Sequence, residues 1–217
     1  EVFSNVYSLI YHCHPQTMVK KIDEPIDVSP KVAANRNMQH RCYKGFQIQP
    51  ENDFIQSRKA VLVNNDVHIV LAAPKKSFTK YFYKNSDADE VIFVHEGKGI
   101  MHSIYGELKF GYGDYIVIPR GTIYQLEFEG ANNRLFIVES FSPVVYPKRY
   151  RNEFGQLLEH APYCERDIRA PKSLNTVDKK GDFLVYIKKQ GLLYSYHYMY
   201  HPFDAIGWDG CHYPYMF

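Results

Sequence analysis

The chain predicts a mainly β fold, a small β-barrel or jelly roll with one amphipathic helix and an additional strand pair. Three observations point there. The apolar runs are short, rich in β-branched and aromatic residues, and closed by glycine or Pro-x-Gly, as in successive antiparallel strands joined by tight turns. Aromatic residues are abundant, with 19 Tyr and 14 Phe against a single Trp, which suits β structure with broad interfaces. The apolar period shifts from that of strands to that of a helix at Pro147.

In chain order, residues 6–10 and 11–14 read as extended, which puts His12 and His14 on one strand face because side chains alternate. The His-x-His spacing suggests a metal. No carboxylate follows at a useful distance, so surface or interface histidines are the preferred reading. Residues 31–41 are polar and irregular. Residues 58–63 and 67–72 form two strands across Asn64, Asn65 and Asp66, a good hairpin turn.

A barrel cassette follows over residues 81–126. Its landmarks are Glu90, the Gly97 and Gly99 turn, Tyr105 and Gly106, the Gly113-Asp114 turn, and Pro119 and Gly121 ahead of Tyr124. This arrangement resembles the cupin superfamily, whose pattern is a His-x-His pair, a Glu a few residues on, then Gly-Asp and Pro-x-Gly-x-x-His. Placed on that pattern, the carboxylate slot falls on Glu90. The paired His slots fall on Tyr83 and Asn85, or on Lys84 and Ser86 in the other spacing, and the last His slot falls on Tyr124. Imidazole-and-carboxylate metal sites need about three converging ligands, so this barrel is expected to bind no metal. Glu90 is expected to pair with a neighbouring amide or Lys.

The strand 134–140 completes a sheet-rich body that ends near Pro143, giving a division into residues 1–143 and 144–217. Within residues 147–160, Tyr150, Phe154, Leu157 and Leu158 have helical spacing. Pro147 suits the first turn and Pro162 the stop, while Gly155 weakens the helix. A charged loop then leads to strands 183–188 and 192–200. In the second strand Tyr194, Tyr196, Tyr198 and Tyr200 share a face, read as cross-strand packing.

Composition narrows the function. A net charge of +2 argues against nucleic acid or an anionic membrane as the main partner. Cys13, Cys42, Cys164 and Cys211 lack Cys-x-x-Cys spacing and read as free thiols in a reducing compartment, so a cytoplasmic location is expected. No apolar run approaches the roughly 18 residues that cross a bilayer, and the start has no signal-peptide form. Phosphate-loop, Gly-x-Ser-x-Gly and His-Glu-x-x-His signatures are absent.

Residues 201–215 read His-Pro-Phe-Asp-x-x-Gly-Trp-Asp-Gly-Cys-x-Tyr-Pro-Tyr, a structured loop in which Asp204 and Asp209 can bond nearby backbone. Together with residues 5–12, 62–68, 85–91, 112–121 and 151–160, this stretch resembles the homogentisate 1,2-dioxygenase family, bacterial type. The resemblance implies the amino-terminal portion of a two-barrel enzyme that opens the ring of homogentisate with O2 to give maleylacetoacetate. It further implies Fe(II) in a two-His, one-carboxylate site that leaves positions for substrate and O2, with a further histidine as base. Those residues belong to the second barrel, downstream of Phe217, so none is expected here and neither His201 nor His212 takes their place. A trimer-based hexamer and an inactive 217-residue chain are also expected. The alternatives are a non-catalytic small-ligand or protein-binding module, and a metal-independent isomerase using Tyr83, Tyr124 or Glu90.

Overall fold

The computed structural model describes residues 7–33 and 39–217. Val6 of the first expected strand, Asn5 of the family resemblance, and residues 34–38 of the irregular stretch lie outside the described residues.

The early strands are β1 (Ser8–His12), β2 (Val19–Ile22), β3 (Ile26–Asp27), β4 (Lys59–Val63) and β5 (Val67–Ala72). The cassette supplies β6 (Phe78–Asn85), β7 (Asp89–Glu96), β8 (Gly99–Ser103), β9 (Gly106–Phe110), β10 (Tyr115–Ile118) and β11 (Ile123–Phe128). The rest are β12 (Arg134–Ser140), β13 (Lys180–Lys189), β14 (Leu192–Tyr200), β15 (Ala205–Gly210) and β16 (Tyr215–Met216).

Two large sheets face each other. One has the order β16-β10-β7-β12-β5-β4; the other runs β2-β14-β13-β6-β11-β8-β9, with β3 beside β14. Strand alternation sorts their side chains. Ile92, Val94, Ile137, Met101, Tyr124 and Leu126 point between the sheets and form the main core. Phe82, Ile123, Val185 and Ile187 point to the other face of the larger sheet, where Phe203, Ala205 and Trp208 cover them. That cover is a separate two-stranded ribbon of β1 and β15, in antiparallel pairing from Ser8↔Gly210 to His12↔Ala205.

The cassette and its turns take the expected form. Gly113 and Gly121 sit at φ +89° and +87°, the left-handed region that glycine enters without a Cβ penalty. The hairpin at residues 64–66 forms as well, with Asn64 Oδ1 accepting from the backbone N–H of Asp66 and Val67. Strands β13 and β14 join β6 in the larger sheet, β13 running parallel to it with Lys188 opposite Asn85. β16 pairs with β10 in the smaller one.

The expected helix over residues 147–160 does not form. Lys148–Tyr150 makes one 3-10 turn, after which Arg151 is extended and bridges to Leu157. Asn152 explains the change: its side-chain oxygen accepts from the backbone N–H of Phe154 and of Gln156. It thereby competes for donors that a helix would use. Gly155 then turns the chain at φ +88°. The apolar spacing was a weaker instruction than this local turn, and Phe154 ends up exposed.

Candidate functional site

The slots of the first spacing, Tyr83, Asn85, Glu90 and Tyr124, lie together inside the barrel, but they hold an ion network, whereas Lys84 of the other spacing lies on the opposite face of β6 and Ser86 lies beyond its end. Glu90 on β7 and Glu139 on β12 are directly opposed in the register. Both are buried, since each lies on a strand face otherwise given to Ile92 and Ile137. Arg58, just before β4, brings Nη2 to 2.6 Å from Glu90 Oε1 and 2.5 Å from Glu139 Oε1. Its guanidinium carbon lies 5.0 Å from the Phe54 ring centre and 5.7 Å from that of Tyr83, within cation–π range.

Each residue in a slot has its own task. Tyr124 donates its hydroxyl to Glu90 Oε2 at 2.6 Å. Tyr83 packs edge-on against Tyr124, ring centres 5.6 Å apart. Asn85 accepts from the backbone N–H of Asp87 and Ala88, holding the β6–β7 turn, and its Nδ2 donates to Glu139 Oε1 at 3.3 Å. From β13, Lys188 Nζ donates to both Glu139 oxygens at 2.8 and 2.7 Å. His68, opposite Glu139 on β5, brings Nδ1 within 3.5 Å of Oε2.

The electrostatics follow from this packing. Burial opposes charge on Glu139, but Arg58 and Lys188 outweigh it and hold the carboxyl down to about 2. Burial likewise favours loss of the proton from Arg58, and Glu90, with Tyr83, Glu139 and Tyr124, overcomes it and raises the guanidinium's pKa. Tyr83 and Tyr124 are pushed well above the ordinary phenol value, chiefly by burial. Both stay neutral near pH 7, and Glu90 is already engaged by Arg58 and Tyr124. An acid–base role for Tyr83, Tyr124 or Glu90 has no support in this geometry.

An iron ion does not fit these slots. Arg58 already places a positive charge on Glu90 and Glu139, and a second cation there would meet it at close range in a low dielectric. Glu90's partners are thus Arg58 and Tyr124, not the amide or Lys expected. Among the described residues no group of three or more His, Cys, Asp or Glu converges to hold a metal.

The other singled-out histidines also have partners. His12 Nδ1 lies 2.7 Å from Asp204 Oδ1, and His14 Nε2 lies 2.7 Å from Asp178 Oδ1. Those carboxylates are remote in sequence, which is why no local spacing disclosed them. Asp204 is fully buried and also takes the backbone N–H of His14 and Nε2 of Gln16, while Asp209 accepts from Tyr11. Both aspartates therefore fasten β1, rather than bonding backbone close by in sequence. His201 sits among Phe82, Phe183 and Phe203. The four cysteines are free thiols.

Sequence reading missed Arg58, Glu139, Lys188 and His68. Glu139 was legible in part, because it continues the inward row of Leu135 and Ile137 and a carboxylate on such a face needs a partner. Arg58 precedes its strand and carried no comparable signal.

Known proteins place the chain. Residues 4–217 match the family described as homogentisate 1,2-dioxygenase N-terminal. The chain belongs to this family. A Saccharolobus solfataricus protein bearing a provisional dioxygenase name is 36% identical over 213 residues, 98% of this chain and 55% of that protein. The homogentisate 1,2-dioxygenase of Emericella nidulans is 27% identical over 158 residues, 71% of this chain and 34% of that enzyme. The chain thus spans about half of the first relative and a third of the second. Among solved structures, a double-stranded β-helix protein of Klebsiella pneumoniae covers 48% of this chain and 93% of its own at 18% identity and TM-score 0.40. A cupin-2 protein of Shewanella frigidimarina covers 44% and 87% at 21% identity and TM-score 0.37.

Among the described residues no helix is long and apolar enough to cross a membrane.

Proposed function

We propose that this chain is the amino-terminal domain of a cytoplasmic, iron(II)-dependent homogentisate 1,2-dioxygenase, and that its barrel serves as structure rather than as the catalytic centre. The parent enzyme would convert homogentisate and O2 to maleylacetoacetate in tyrosine and phenylalanine catabolism. Its iron would lie in sequence downstream of residue 217, and its subunits would assemble as a trimer-based hexamer. The family match over residues 4–217 supports the assignment. The observation that carries the structural role is Arg58 bridging Glu90 and Glu139 where the cupin pattern would seat a metal.

The test is Glu90→Gln in the full-length protein. It should lower stability while iron content and turnover per folded molecule stay at the wild-type level. Loss of iron in a folded Glu90→Gln protein would move the metal into this barrel and refute the reading.

A further inference from the structure

The smaller sheet is apolar on both faces. Its inner face packs the core through Ile116, Ile92 and Ile137, but the outward positions are apolar too. One outward row runs in register from Phe217 through Tyr115, Phe93 and Phe136 to Leu71. The next runs from Tyr215 through Val117, Val91, Val138 and Ile69 to Leu62. Neither row meets a charged residue until Lys59, opposite Leu71 at the β4 edge. An antiparallel sheet with one face in water alternates apolar and polar positions along each strand. This pattern therefore marks a face that is covered in the assembled protein.

Cover from the described residues is partial. The Gly45–Gln47 turn shields one corner, where Phe46 stacks on His95 with ring centres 3.6 Å apart, and Tyr146 lies 5.3 Å from Tyr215. Leu62 is still 57% exposed, and Tyr115 and Phe217 47% each. We propose that the downstream half of the parent chain docks on this face as a packed domain through an apolar surface of its own, an inference that rests on the reading of a longer parent. Two observations select that occupant. Phe217 forms one edge of the patch, exchanging two backbone hydrogen bonds with Tyr115 at 3.2 and 3.1 Å, so a chain that continues past it leaves from this face. The six strands also span roughly 24 Å at about 4.8 Å per spacing, twice the width of a single helix, about 10–12 Å. A lone helix or short peptide leaves much of the face wet, whereas a domain covers it. The Saccharolobus relative, of which this chain matches 55%, has length enough outside the match to supply one.

Photocrosslinking of the full-length protein, with benzoylphenylalanine in place of Tyr115, tests this. Mixed unlabelled and heavy-nitrogen subunits separate links within a chain from links between chains. Links to peptides beyond residue 217 of the same chain are expected. Links to another copy, or a probe that stays open to solvent and forms none, overturn the proposal. The same probe in place of Leu62 serves if the first variant does not fold. Tyr115→Asp should loosen the docked domain, so that protease cleavage just after residue 217 speeds up about tenfold. An unchanged rate in a folded Tyr115→Asp protein also overturns the docking. A native protein whose intact mass matches 217 residues fails the parent reading itself, whereas iron and turnover in a longer protein without these links fail the docking alone.

Discussion

Glu90 and Glu139 stand directly opposite one another across β7 and β12, buried, with a single nitrogen of Arg58 in contact with both. Opposed like charges weaken a sheet, and removing the cation from a buried cluster costs about 3–5 kcal/mol. Arg58→Met should therefore lower the unfolding free energy by about that much in urea melts. The double variant with Glu90→Gln should recover much of the loss, since the repulsion goes with one charge and Lys188 still pairs with Glu139.

Acid should reach the same cluster through Glu139. Its folded pKa, about 2, lies below the ordinary 4.5, so the ionised form is the one the fold stabilises. That contribution is complete above pH 4.5 and is lost as pH falls towards 2. It amounts to roughly 3 kcal/mol. Denaturant melts from pH 6 to about pH 2 should show Glu139→Gln with a flatter acid limb than the wild type.

Tyr124 offers a milder probe. Its hydroxyl is the donor to Glu90 Oε2, and Tyr124→Phe leaves that buried oxygen without it, at a cost of about 1–3 kcal/mol. Thermal unfolding should show the drop, and iron content of the full-length protein should not change.

Asp204 ties β1 to the body through His12, Gln16 and the backbone of His14. Asp204→Ala leaves those donors unpaired, and amide exchange across Ser8–His12 should speed up before exchange in β7 or β12. Equal acceleration in the core strands would mean that the ribbon is not a separate opening unit.

Much of this was readable in the residues themselves. Turns at Gly113 and Gly121, the hairpin at Asn64 and strand β12 follow from local rules of glycine, asparagine and alternation. The helix failed because Asn152 offered the backbone a competing turn, a local effect that apolar spacing does not register. The ion network was hidden for another reason. Arg58, Glu90, Glu139 and Lys188 are far apart in sequence and meet through sheet pairing, so Glu90 looked like a lone survivor of a ligand set when it was one half of a charge pair.

An arginine-centred ion network joins Glu90, the carboxylate of the cupin pattern, to Glu139 inside this barrel. Iron analysis with homogentisate-dependent oxygen uptake, run on the purified 217-residue chain, is the decisive test of the proposed structural role. The expected result is a folded chain with neither bound iron nor oxygen consumption. Stoichiometric iron with turnover would contradict it.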